Sequence, residues 1–140
     1  MKITKLLSLA LLLILAFSLF SCFAPVNYDE LWQDAIYKTD KTLGTGQKTV
    51  LVEVIAGEHS VTFTIKTDKQ TVGEALEEHG LIEGEESAYG LYVKKVNGIL
   101  ADYDIDQSYW GFYKNGEMML VGVDGQTFAD GDHYELKHEK

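Results

Sequence analysis

The chain is 140 residues long and carries 12 lysines and no arginine against 22 aspartates and glutamates, a formal net charge of −10. So acidic a surface repels phosphate and excludes nucleic acid as a partner. A single cysteine excludes a disulfide framework and a cysteine-based zinc site, while 46% apolar residues suffice for the core of one domain.

Lys2 and Lys5 form a short basic head before the uncharged run Leu6–Phe20. That run falls short of the roughly 20 apolar residues a membrane span requires, so residues 1–21 read as a signal peptide. The only cysteine, Cys22, follows at once in the string Leu19-Phe20-Ser21-Cys22, which resembles the lipobox of bacterial lipoproteins. The resemblance implies acylation of Cys22 and a mature chain that begins there, held at the extracytoplasmic face of a bacterial cell membrane. Each buried methylene of such an anchor contributes roughly 0.8 kcal/mol, and two acyl chains make a lasting attachment. Cleavage would leave ten lysines against 22 acids, a charge of −12.

Residues 22–48 read as the lipid-anchored linker. Leu31, Trp32, Ala35 and Ile36 fall at helical spacing and predict a short amphipathic helix near 29–37. Gly44-Thr45-Gly46-Gln47-Lys48-Thr49 mimics a phosphate loop, but Gln47 separates the second glycine from the lysine, and the segment reads as a flexible hinge.

Residues 49–140 read as the folded domain. Residues 50–55 (VLVEVI) form an almost wholly apolar strand of the kind covered on both faces. Past the turn at Gly57-Glu58-His59, Val61, Phe63 and Ile65 alternate with polar residues, which completes a β-hairpin. Thr71-Val72-Gly73-Glu74 is a capping box that opens a helix with Val72, Ala75 and Leu76 on its buried side, His79 in its last turn and Gly80 as its stop. Residues 83–86 read as an acidic loop. Asn97-Gly98 and Asn115-Gly116 then mark tight turns after strands 91–96 and 109–114, and Asp130-Gly131-Asp132 leads into a last strand, 133–138. One helix across a small mixed or antiparallel sheet makes an α+β domain of the β-grasp kind.

In this order TVGEAL (71–76), VNGI (96–99), YWGFYKNG (109–116), GVD (122–124) and DGDHYEL (130–136) resemble the transcobalamin-like C-terminal domain family, found on small bacterial lipoproteins of unassigned function. The resemblance implies a β-grasp-like fold and a corrinoid (cobalamin-like) or other planar small molecule as ligand, delivered to an uptake transporter.

Three groups of residues are candidates for a site. In strand 109–114, Trp110 and Phe112 face one way and Tyr109, Gly111 and Tyr113 the other. One set would fill the core. The second would offer an aromatic platform, with Gly111 as a notch and Asn97 and Asn115 shaping the adjoining turns. Asp102, Asp104 and Asp106 alternate like the start of a calcium loop, and divalent-metal binding there is an alternative. That loop's glycine and closing glutamate are replaced by Gln107 and Tyr113. The four histidines, His59, His79, His133 and His138, form no ligand pair and read as surface residues. With no nucleophile elbow, catalytic cysteine or metalloprotease motif, the chain reads as a binding protein rather than an enzyme; an adhesion or protein-interaction domain is the other alternative.

Overall fold

The structure, a computed structural model, describes residues 25–140; the segment expected to be a signal peptide and Cys22 lie outside the described residues. A single helical turn, α1 (Tyr28–Leu31), runs into a 3-10 turn (Trp32–Asp34). Then follow β1 (Lys41–Gly44), β2 (Lys48–Ala56), β3 (His59–Thr67), α2 (Val72–Glu77), β4 (Ile82–Ser87), β5 (Gly90–Val96), β6 (Ile99–Leu100), α3 (Tyr103–Asp106), β7 (Tyr109–Lys114), β8 (Glu117–Met118), a 3-10 turn (Val123–Gly125) and β9 (His133–Glu139). Six strands form one mixed sheet in the order β1-β3-β2-β9-β7-β8, and β4-β5-β6 form a second. The architecture is α+β, with α2 the longest helix among the described residues.

The β2–β3 hairpin pairs Val54 with Val61, Val52 with Phe63 and Val50 with Ile65. All six of these side chains are buried. The strand expected to be covered on both faces is buried on one only, since Leu51, Glu53 and Ile55 are half-exposed. β2 nevertheless lies in mid-sheet, flanked by antiparallel β3 and parallel β9, with Leu136 opposite Val54 and Tyr134 opposite Val52. The capping box forms as expected: the Thr71 hydroxyl accepts from the Glu74 N–H at 3.2 Å while the Glu74 carboxylate accepts from the Thr71 N–H at 3.2 Å. α2 presses Gly73 against the backbone of Asp124, where a Cβ would come within 2.9 Å, so Gly73 sets the helix on the Val123–Gly125 turn.

Both Asn-Gly turns also form. Asn97 and Asn115 adopt φ of 51° and 52°, followed by glycines at 82° and 78°, the left-handed pair a two-residue hairpin needs. By contrast, the segment expected to be a hinge is structured. Residues 41–44 form an edge strand parallel to β3, Gly46 lies on the Thr67 backbone where no side chain would fit, and Lys48 opens β2. The acidic stretch at 83–86 is likewise a strand. It pairs with β5, and Lys95–Glu83 (3.6 Å) and Lys94–Glu85 (3.2 Å) offset its charge.

The lead-in helix is shorter than the spacing predicts. Trp32 and Ala35 join the core, but the chain turns extended at Ala35 (ψ 128°) and leaves Ile36 exposed.

Candidate functional site

Strand β7 alternates as expected, yet neither of its faces is an open platform. Trp110 is buried: its indole N–H donates to the Ile99 carbonyl at 3.2 Å and its ring stands edge-on to His138 at 5.3 Å. Phe112 stacks on Tyr134 at 5.4 Å. On the other face, the expected notch at Gly111 is filled. A Cβ there would lie 2.6 Å from the Tyr113 ring and 2.8 Å from the Glu139 carboxylate. The Tyr113 hydroxyl donates to both Glu139 oxygens (2.8 and 2.9 Å), and the Lys137 ammonium sits 4.7 Å over the Tyr113 ring. The bond to Glu139 pushes the Tyr113 phenol up to about 12 and also raises that of Tyr109. These side chains satisfy one another, with the Lys137 ammonium over the Tyr113 ring.

Asn97 is fully buried and structural. Its amide donates to the Tyr37 carbonyl (2.8 Å) and accepts from the Tyr37 N–H (2.9 Å). Its own backbone carbonyl takes the Ile36 N–H (2.9 Å) and its N–H bonds to Leu81 (2.8 Å). It pins the lead-in segment to the domain.

The three aspartates are engaged locally. Asp102 caps α3 by accepting from the Asp104 N–H (3.1 Å) and lies 3.8 Å from Lys94. Asp106 accepts from the Ser108 hydroxyl and N–H, bonds that hold its carboxyl below the usual range. Among the described residues no group of three or more His, Cys, Asp or Glu side chains is placed to hold a metal ion.

His138 corrects the expectation that all four histidines lie on the surface. It is buried between Trp110 and Tyr28, whose ring stands edge-on at 5.8 Å, and its Nδ1 finds no hydrogen-bond partner. Burial pushes the imidazole below its ordinary value, against the Leu100 carbonyl and Asp106, which favour the charged form; Lys140 adds to the depression. Between the unfolded value of about 6.5 and the lower folded value, the unfolded chain binds more protons. His138 therefore contributes stability above about pH 6.5 that is lost as the pH falls toward the folded value. His138→Phe keeps a packed ring without the titration. Its melting temperature is expected to depend less on pH than the wild type's between pH 7.5 and 5.5, as calorimetry would read; parallel curves would exclude this role.

Of the residues expected to hold a small molecule, Asn115 lies beside an open concavity. Lys114, Asn115, Glu117, the run Met118-Met119-Leu120-Val121 and Gln126 line a hollow of about 460 Å³. Leu120 and Val121 also border a second hollow of about 470 Å³, shared with Tyr89, Gly90, Gly122, Asp124 and Gly125. Tyr89 and Leu120 are almost wholly exposed, and Met118 and Val121 about half so. Asp124 ties the two walls together by accepting from the Leu91 N–H at 2.9 Å. Beneath the first hollow, Lys114 bonds Asp132 (3.2 Å), lies 5.3 Å over the Tyr134 ring, and has its ammonium pKa raised by that carboxylate. Four consecutive apolar residues with three of them open to water are unusual unless they bind something. Their signal in the sequence was the string MMLV immediately after a hairpin turn.

This is a small β-grasp-like domain with an apolar rim at one end of its sheet. The chain belongs to the family described as Domain of unknown function (DUF4430), which matches residues 69–140. A crystal structure of a candidate metal-binding protein from Ruminococcus gnavus ATCC 29149 is similar at 35% identity and a TM-score of 0.63, covering 67% of this chain and 98% of that one. Haptocorrin in complex with Cbi is similar at 20% identity and a TM-score of 0.51, over 70% of this chain; the match spans 26% of haptocorrin. The fold is thus that of the transcobalamin-like C-terminal domain. No curated protein matches the chain.

Proposed function

We propose that this chain is a lipid-anchored extracytoplasmic binding protein that holds a planar small molecule, a corrinoid foremost, against the rim formed by Tyr89 and Met118–Val121, and releases it unchanged to an uptake transporter. The observation that carries the reading is the exposed run at 118–121, set between two hollows of a size that suits part of a ring system. The haptocorrin likeness supports a corrinoid as the first ligand to try. Titration of cobalamin into residues 23–140 is expected to give saturable heat. Leu120→Asp is expected to weaken binding about tenfold or more, since it places a charge in the apolar contact, with the melting temperature unchanged because Leu120 touches little of the core. Absence of heat with cobalamin would overturn the corrinoid, and unchanged affinity in Leu120→Asp would overturn the rim. If the run instead serves adhesion, a protein partner would be lost in Leu120→Asp while small molecules give no thermal shift.

The Ruminococcus gnavus neighbour favours a second reading, divalent-metal binding. It requires a chelator to lower the melting temperature, because a ligand of the native state stabilises it by mass action; an unchanged melting temperature would count against it.

A further inference from the structure

A second apolar surface lies at the opposite end of the molecule. β7 runs from Tyr109, opposite Glu139 of β9, to Lys114 beside the ligand rim, so the far end is where β9 finishes. The first described residues emerge at that far end. Val26 and Asn27 line a concavity of about 500 Å³ together with Leu31, Asp34, Asp106 and Lys140, and the Tyr28 hydroxyl donates to the His138 carbonyl at 3.3 Å. Around this end Ile36, Leu100, Tyr103 and Ile105 are exposed, Ile105 by 77%. Ile36 and Asp34 pack on the Gly98 turn, which ties the lead-in segment to the β5–β6 hairpin; Leu100 ends β6, and α3 carries Tyr103 and Ile105.

Chain length says what covers this patch. On the reading that Cys22 is acylated, three peptide steps separate the lipid from Pro25, at most about 11 Å of extended chain. On that reading the tether keeps the end that carries Ile36, Leu100, Tyr103 and Ile105 close to the headgroup layer. We infer that these four side chains rest on the bilayer interface and hold the domain upright, with the Met118–Val121 rim turned away from the membrane. This inference rests on the lipid-anchor reading. Tethering supplies a high effective concentration, so the contact needs little affinity of its own. Tyrosine and isoleucine suit the boundary between headgroups and acyl chains. Asp34, Asp102, Asp104 and Asp106 at the same end repel anionic headgroups, so contact is closer on zwitterionic lipid.

The acylated full-length product is reconstituted into phosphatidylcholine vesicles containing nitroxide-headgroup lipid. A bimane label is placed on Ile105→Cys or, as reference, on Leu120→Cys; acylation of Cys22 leaves the introduced thiol as the one available. Flotation with the vesicles reads the anchor, and bimane quenching reads the orientation. Strong quenching at 105 with little at 120 is the expected result, reduced by Ile36→Ser with Tyr103→Ser and by replacing half the lipid with phosphatidylglycerol at low salt. Flotation with equal quenching at both positions would overturn the docking and leave the anchor standing. Failure to float would overturn the anchor, and the docking with it.

Discussion

Asn97→Ala is expected to cost about 3–5 kcal/mol, a large share of the 5–15 kcal/mol that holds a typical domain together. The side chain is fully buried, and its amide satisfies both the N–H and the carbonyl of Tyr37. Alanine leaves two backbone groups without partners at about 1–3 kcal/mol each. It also lacks the short polar side chain that lets asparagine adopt a left-handed position, φ 51°, which adds to the loss. Asn97→Gly separates the contributions: it keeps the turn and loses only the clamp, so it should be about 1 kcal/mol less damaging than alanine. Asn97→Asp keeps the acceptor for the Tyr37 N–H but sets a carboxylate against the Tyr37 carbonyl. Urea unfolding gives the energies, and amide exchange locates the damage. Protection should fall first between residues 36 and 44, because the Asn97 clamp and the pairing of β1 with β3 together fasten that segment. A loss below about 1 kcal/mol in Asn97→Ala would mean that water replaces the amide at no cost and that the lead-in is only loosely attached.

The residues that made the fold legible are those whose local chemistry and global role agree. Thr71 and Glu74 needed nothing beyond their own turn to start a helix. Asn97-Gly98 and Asn115-Gly116 needed only their backbone freedom to close hairpins, and the alternation of Val61, Phe63 and Ile65 follows from one buried sheet face. β1 and β4 lacked such signals. Lys41–Gly44 is too short to show a period and becomes a strand only because β3 offers it an edge, a pairing made across the fold. Glu83–Glu86 looks like a loop because its acids are balanced by Lys94 and Lys95, which lie on a different strand. The site was harder still. The spacing of β7 correctly separates Trp110 and Phe112 from Tyr109, Gly111 and Tyr113, but spacing is silent about what lies above each face. Glu139 and Lys137, on β9, close one face, and His138, on the same strand, helps to close the other. Asn97 and Asn115 stand in identical turns, and only tertiary placement buries the first and sets the second beside a hollow. The run at 118–121 was visible throughout, yet a stretch of four apolar residues reads equally well as a strand or as a core segment until its exposure is known.

The second large effect concerns Trp110, where a role in ligand stacking and a role in the core predict opposite behaviour. Trp110→Ala is expected to cost about 3–5 kcal/mol, the range for deleting a buried aromatic ring. It would also leave the Ile99 carbonyl without its indole donor and His138 without one of its edge-on neighbours. In urea the midpoint should drop sharply with the slope preserved, and the pH dependence set by His138 should shrink as water reaches the imidazole. Ligand affinity, measured where the variant is still folded, should stay close to the wild type's, because the rim at Met118–Val121 lies beyond the Lys114 end of β7. Leu120→Asp should behave in the opposite way, keeping its urea midpoint and losing affinity. Measured on one preparation, the two variants form a crossed test. If Trp110→Ala loses affinity while remaining as stable as the wild type, the indole must leave the core to meet the ligand, and the binding surface is the aromatic strand after all. If the midpoint falls and affinity holds, β7 is a structural strut, and recognition belongs to the loop it supports.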